Sequence, residues 1–270
     1  MQQVKPSEEL QTALRASQKA EEIVLRYFGP EVASTLKPDQ TPVTAADLEA
    51  EQAIIATLRE RFPDYGFIAE ESGRSPNSSE MAWIIDPIDG TKNFARGIPL
   101  FGTQIALARR GTPILGVSRL PAMQETLCAE LGGGAQLNGR RVQVSTVAKL
   151  SQAHVSFGGL NHFCAAGLEQ GLLDIVRTAA RVRAFGDAYA YHLVASGRCE
   201  AVIEAKIAFW DVAALSAIVQ EAGGVCSDFS GHPIGVDTTN IVCANGAAIH
   251  AELLDAINRA ANPGGGRGHG

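Results

Sequence analysis

The segment Met81-Ala-Trp-Ile-Ile-Asp86-Pro-Ile-Asp89-Gly-Thr91 constrains the chain most, because an apolar run of strand length stops abruptly in two carboxylates three positions apart. Pro87 and Gly90 fix the turn. Gly66-Phe-Ile-Ala-Glu70 is a second short apolar run ending in a carboxylate, so Glu70 can reach the same sheet edge as Asp86. Open α/β sheets bind ligands at the carboxyl ends of their strands. Like charges held this close repel and raise one pKa unless a cation lies between them, so such a pair binds metal or shares a proton. The local text also admits a plainer reading, a hairpin turn at Asp89-Gly90 and a helix cap at Asp86.

The flanking text organises around these strands. Apolar or small residues recur at helical spacing from Ser7 to Phe28, between Pro6-Ser7 and Gly29-Pro30. Thr44-Ala-Ala-Asp47 reads as a capping box opening a second helix that stops at Pro63. Phe101 to Ala108 and Ile114 to Arg119 bracket a hairpin, and Glu125 to Ala129 adds a strand before Gly132-Gly133-Gly134. The second half alternates: a helix from Asp187 to Ser196, a strand from Ala201 to Glu204, a helix from Asp211 to Glu221, a strand from Asn240 to Cys243 and a helix from Ala247 to Ala261. This is a mixed α/β chain. The change of text near Val144 to Leu150 predicts two sub-domains sharing one core, 1–145 and 146–262, with 263–270 a floppy tail.

Composition narrows the function classes. With 270 residues, 46% apolar and a net charge of −6, the chain reads as globular and buries roughly 70–75% of its unfolded surface. The acidic balance offers no basic stripe for a nucleic-acid backbone. The longest uncharged run, Leu150 to Leu168, holds Gln152, His154, Asn161, His162 and a glycine pair, which argues against a membrane span. Cys128, Cys164, Cys199, Cys226 and Cys243 are odd in number and scattered, so they read as thiols in a reducing cytosol. No apolar leader opens the chain, and a cytoplasmic location is expected.

Trp210-Asp211 adds a fourth acid, which also reads as a helix N-cap. Glu70, Asp86, Asp89 and Asp211 supply hard oxygen donors without His or Cys, suiting magnesium better than zinc or copper. Here the chain resembles a known family. Glu70-Glu71-Ser72, Trp83-Ile-Ile-Asp86-Pro-Ile-Asp89-Gly-Thr91-Lys-Asn-Phe94 and Trp210-Asp211-Val-Ala-Ala with Glu221-Ala-Gly-Gly224 are similar in order and spacing to the signature motifs of the inositol monophosphatase family. The resemblance runs from the first helix to about Ala261. It implies an α+β layered sandwich of alternating helix and sheet layers, usually dimeric, acting as a magnesium-dependent, lithium-sensitive phosphomonoesterase.

Carried over by position, the resemblance implies that Glu70, Asp86 and the carbonyl of Ile88 hold one magnesium, that Asp86, Asp89 and Asp211 hold a second, and that Glu70 shares a third, weaker ion. Thr91, hydrogen-bonded to Asp47, would orient and help deprotonate the attacking water, making Asp47, Glu70 and Thr91 the catalytic set. The backbone N–H groups of Gly90 and Thr91 suit phosphate oxygens. Asp47 equally reads as half of the capping box with Thr44.

The alcohol side departs from the inositol enzymes. Phe185-Gly186-Asp187-Ala-Tyr189-Ala-Tyr191, with Asp89-Gly-Thr-Lys92 and Pro99-Leu-Phe101-Gly-Thr103, resembles the histidinol-phosphate phosphatases of the same superfamily. Histidinol carries an ammonium, so an extra carboxylate makes electrostatic sense. Asp187 is the candidate selector, or a plain N-cap, and Glu204 fits either an ammonium or substrate hydroxyls, or a solvated strand end. Lys92 reads as a rim residue, and His154, His162 and Cys164 as structural. The substrate expected is L-histidinol phosphate. Inositol 1-phosphate, other sugar phosphates, 3′-phosphoadenosine compounds and a binding role without turnover are the alternatives.

Overall fold

The computed structural model describes residues 6–29, 34–36, 42–75 and 79–261, and the expected tail at 263–270 lies outside them. Helix α1 (Glu8–Tyr27) starts where Ser7 Oγ accepts from the Leu10 N–H at 3.1 Å, a cap worth about 1 kcal/mol. Strands β1 (Ser34–Leu36) and β2 (Pro42–Thr44) pair antiparallel. Helix α2 (Ala45–Arg61) then packs Ala46, Ala50, Ile54 and Leu58 against the mostly small buried stripe of α1, Leu10, Ala13, Ala16, Ala20 and Val24.

The next stretch builds an eight-stranded sheet from β3 (Gly66–Ala69), β4 (Gly73–Arg74), β5 (Met81–Asp89), β6 (Gly102–Arg109), β7 (Thr112–Leu120), β8 (Glu125–Glu130), β9 (Gln136–Leu137) and β10 (Arg140–Arg141), ordered β10-β9-β8-β7-β6-β5-β3-β4. A single turn of helix, α3 (Thr91–Phe94), lies between β5 and β6. Strands β3 and β5 run parallel, which puts the ends carrying Glu70 and Asp86 side by side. The expected hairpin between β6 and β7 turns through Arg110 and Gly111, at φ 51° and 82°.

The second stretch supplies β11 (His154–Phe157), α4 (Leu160–Ala165), α5 (Glu169–Thr178), β12 (Arg181–Arg183), α6 (Asp187–Ala195), β13 (Ala201–Glu204), α7 (Phe209–Glu221), β14 (Val225–Ser227), β15 (Ile241–Ala244) and α8 (Ala247–Ala261). Its five strands are ordered β12-β11-β13-β15-β14. Period-two alternation sorts the side chains into layers. Trp83, Ile85, Ile105 and Leu107 pack with α1 and α2, whereas Ile84, Ala106 and Ala108 pack with α6 and α7. Val202 and Cys243 meet α6 and α7 from the second sheet, and Ala201, Ile203 and Val242 pack with α5 and α8 behind it. The result is five layers, helix, sheet, helix, sheet, helix, with α6 and α7 in the middle. Gly116 sets the depth of α7: a Cβ there would stand 2.2 Å from the Ala214 carbonyl oxygen, so only glycine lets α7 lie this close to β7.

The cysteine expectation is corrected. Cys226 and Cys243 stand directly opposite each other on β14 and β15 and their sulfurs are bonded. Their separation of 17 residues hid the pairing, because strand register alone brings them together. Cys128, Cys164 and Cys199 are thiols. With Cys226 and Cys243 paired, the cysteines do not point to a reducing compartment. No helix among the described residues is long and apolar enough to cross a membrane.

Candidate active site

Two parallel strand ends, the starts of both middle-layer helices α6 and α7, and the loops that follow β11 and β12 enclose a cavity of about 670 Å³. Its wall includes Glu70, Asp86, Ile88, Asp89, Gly90, Thr91, Asp187 and Asp211, eight of the ten residues singled out above. Asp47 and Glu204 lie outside that wall. Asp47 is fully buried behind it, and Glu204 lines a smaller chamber of about 80 Å³ shared with Asp89, Asp187 and Asp211.

Backbone N–H groups hold Asp86, Asp89 and Asp211. The pairing of β5 with β6 shifts register between Asp86 and Asp89, which releases the Pro87-Ile88 turn from the ladder. Asp86 Oδ1 accepts the Ile88 N–H at 3.0 Å, and Asp89 Oδ2 accepts the Ala188 N–H at 2.7 Å. Asp211 is not the N-cap expected of it: α7 begins two residues earlier, and the Asp211 carboxylate reaches back to the Ala208 N–H at 2.8 Å. Asp187 is not an N-cap either. It is the first residue of α6 after Gly186, in the left-handed region at φ 45°, where Asn93 Nδ2 donates to its Oδ2 at 3.1 Å. A non-glycine residue in that region stores strain, a feature that clusters at ligand sites.

Thr91 and Asp47 meet less closely than expected. The Thr91 hydroxyl has a single proton, with the Ile88 carbonyl at 3.0 Å and Asp47 Oδ1 at 3.5 Å, so the carbonyl is the better acceptor. The other Asp47 oxygen accepts from the Thr44 N–H at 2.7 Å and the Thr44 hydroxyl at 2.6 Å. The capping box expected at Thr44 is therefore present, and Asp47 serves it first.

The electrostatics are dominated by crowding. Burial, then Glu70, Asp89 and Asp211, push the Asp86 carboxyl well above its ordinary range. Burial, then Asp187, Asp211 and Glu204, do the same to Asp89, against the Ala188 N–H. Glu204 rises to about 7, chiefly through burial, although the Tyr191 hydroxyl donates to it at 2.6 Å. Among the described residues, Lys92 is the one Lys or Arg in the cavity wall. Among the described residues no three His, Cys, Asp or Glu side chains already close on a single point. The donor set nevertheless fits a hard divalent cation: all oxygen, multiply anionic and crowded with like charge.

With this geometry established, comparison with known proteins is decisive. The sequence profile of the inositol monophosphatase family matches residues 5–262. The chain belongs to the inositol monophosphatase family. A histidinol-phosphatase from Chlorobaculum parvum is 41% identical over 250 residues, covering 92% of this chain and 96% of that protein. An inositol-1-monophosphatase from Mesorhizobium japonicum is 36% identical over 260 residues, covering 93% and 96%. Among solved structures, an IMPase from Thermotoga maritima aligns with a TM-score of 0.86 at 33% identity, covering 95% of this chain and 99% of that one. The fold is thus the mixed α/β layered architecture expected, and the chain is a phosphoric monoester hydrolase of the inositol monophosphatase family.

Two residues escaped the sequence reading. Glu51, on α2, is buried and accepts from the Glu71 and Ser72 N–H groups at 2.8 Å each, fixing the turn that carries Glu70. Its signal was a carboxylate on the buried stripe of α2, one turn after Asp47. His162 was read as structural, yet it lines both the cavity and the side chamber. Nothing in its spacing marked it, because α4 is too short to show a periodic face.

Proposed function

We propose that this phosphatase hydrolyses L-histidinol phosphate to L-histidinol and phosphate, with two or three magnesium ions as cofactor. The observation carrying the substrate reading is a second pair of carboxylates, Asp187 and Glu204, in the side chamber, where neither Glu70 nor Asp86 contributes. Asp187 is held there at a strained φ of 45°. A protonated amine in that chamber, where the acids outnumber the single cation Lys206 among the lining residues, would meet Asp187 and Glu204, giving charge-assisted hydrogen bonds roughly twice as strong as neutral ones. The similarity to a histidinol-phosphatase supports the same reading.

Glu70, Asp86 and the Ile88 carbonyl would hold one ion, Asp86, Asp89 and Asp211 a second, and Glu70 would share a third, weaker one. Bound there, magnesium supplies charge neutralisation of the phosphate oxygens, a more acidic water and stabilisation of the departing alkoxide. The chain's own groups do the rest. With its proton committed to the Ile88 carbonyl or Asp47, the Thr91 oxygen is left to accept a hydrogen bond from the attacking water and hold it in line. Gly90 and Thr91 offer backbone N–H groups to the phosphate. Residues 1–145 would supply most metal ligands and 146–262 Asp211 and the alcohol side, in a cytoplasmic homodimer.

The test is phosphate release from L-histidinol phosphate and inositol 1-phosphate, with and without magnesium. A kcat/KM at least tenfold higher for histidinol phosphate supports the reading. Equal or reversed values would leave a phosphatase and remove the substrate, favouring sugar phosphates or inositol 1-phosphate, the latter in line with the Mesorhizobium japonicum inositol-1-monophosphatase.

A further inference from the structure

The Gly158-Gly159 turn brings two polar walls together across bare backbone. A Cβ on Gly158 would lie 2.7 Å from Glu204 Oε1, and one on Gly159 would lie 2.6 Å from Asn161 Oδ1 and 3.4 Å from His162 Nδ1. Carboxylate and imidazole both line the side chamber, with Asp187, Tyr191 and Lys206. The support under His162 is fixed. Its N–H donates to the Gly159 carbonyl at 2.9 Å, and the next residue, Phe163, is fully buried with its ring edge-on to Phe157.

The half-buried His162 ring makes no hydrogen bond among the described residues. Burial and the nearby Lys206 and Lys92 hold its pKa below the ordinary value, so the ring is neutral and carries one donor and one acceptor nitrogen. We infer that His162 is a specificity-determining residue for the alcohol half of the phosphomonoester, hydrogen-bonding it across the chamber from Asp187 and Glu204. The inference rests on the site reading above and extends it to a ligand class, the phosphate ester of an amino alcohol. Its ammonium meets the carboxylates, and a remaining N–H or O–H meets the neutral imidazole. An uncharged polyol gains less, because it forms only neutral hydrogen bonds there.

The experiment measures phosphate release at saturating magnesium from L-histidinol phosphate and p-nitrophenyl phosphate, using wild type, His162→Leu, His162→Gln and Cys164→Ser. The last changes an exposed thiol of the same helix and is the control. His162→Leu is expected to raise KM for histidinol phosphate about tenfold more than for p-nitrophenyl phosphate, the scale of one hydrogen bond, with kcat within about twofold. His162→Gln, which keeps a donor and an acceptor, should recover most of that loss. L-Histidinol as an inhibitor of p-nitrophenyl phosphate hydrolysis should weaken by the same factor. Equal KM shifts on both substrates, or none on either together with unchanged inhibition, overturns the inference. Failure of the substrate reading shows separately, in the wild-type preference between histidinol phosphate and inositol 1-phosphate.

Discussion

The Ala188 N–H donates to Asp89 Oδ2 at 2.7 Å across 99 residues of sequence, tying the helix that carries Asp187 to the strand that carries the paired acids. This bond occupies one oxygen of Asp89, while the side chain lines both cavity and chamber. Asp89→Asn keeps a carbonyl oxygen for Ala188 but removes one charge from a repelling group. The metal-free variant should therefore melt at or above the wild-type temperature, while phosphate release falls by about three orders of magnitude or more. Differential scanning fluorimetry in EDTA and a phosphate assay check the two halves. A variant that unfolds would show that Asp89 is structural.

Metal removal should make stability depend on pH with a definite sign. The Glu204 carboxyl sits at about 7 in the fold against an ordinary 4.5, and Asp86 and Asp89 are raised in the same direction. A raised acid binds its proton more tightly folded than unfolded, so stability falls as pH rises from about 4 towards 7. The EDTA-treated protein is expected to lose melting temperature over that interval. Magnesium at about 100 times its Kd would add about 2.7 kcal/mol at pH 7. A melting temperature rising between pH 5 and 7 without metal would contradict the crowding of the acids.

A second buried network predicts the opposite slope. Glu125 can only accept, so His192 Nδ1 donates to it at 3.2 Å, and His192 Nε2 then accepts from the Ser118 hydroxyl at 2.8 Å. Burial keeps the ring neutral. The His192 hydrogen bond, aided by Arg198 at 3.0 Å, lowers Glu125 to about 2. The stability this contributes is complete above about pH 4.5 and is lost as pH falls towards 2. Glu125→Leu should cost about 1–3 kcal/mol at pH 7 by leaving the His192 donor unpaired. In urea unfolding, the gap between variant and wild type should narrow between pH 4.5 and 2.5.

The parts of the site that were legible in sequence are those whose chemistry is carried by a contiguous strand end. Asp86, Asp89 and Glu70 could be grouped because an apolar strand must stop where its acids begin. The bond between Ala188 and Asp89 could not be read, because it uses a backbone N–H, which every residue but proline has. Strand β11, helices α4 and α5 and strand β12 were also missed. β11, α4 and β12 are short, and β12 exposes both arginines of Arg181-Val-Arg183 on a sheet edge, so neither periodicity nor an apolar run announces them; α5 does carry a helical stripe, Leu168, Leu172 and Ile175, that went unread. The Cys226–Cys243 pair failed for a related reason: it depends on the register of β14 against β15, which no local pattern sets.

That pair gives a covalent prediction. Without reductant, the denatured protein should titrate three thiols, from Cys128, Cys164 and Cys199. A crosslink closing 17 residues stabilises by about 3 kcal/mol through the unfolded chain, so reduction, or Cys226→Ala with Cys243→Ala, should lower the melting temperature by several degrees. Five reactive thiols would show that the bond does not form in solution.

Glu51 separates the positioning of a metal ligand from ligation itself. Its two oxygens each accept one backbone N–H, from Glu71 and Ser72, and the Glu70 N–H is held by the Ile85 carbonyl at 3.1 Å. In Glu51→Gln one of those N–H groups faces an amide that cannot accept, so the turn shifts and Glu70 moves with it. Groups supporting a metal ligand typically affect metal affinity by 10–100-fold. The expected outcome is an apparent magnesium constant weakened about tenfold, with kcat at saturating magnesium within about threefold of wild type. Glu70→Gln, which removes a ligand, should depress kcat even at saturation. The magnesium dependence of phosphate release distinguishes them, and identical behaviour of the two variants would place Glu51 among the ligands rather than behind them.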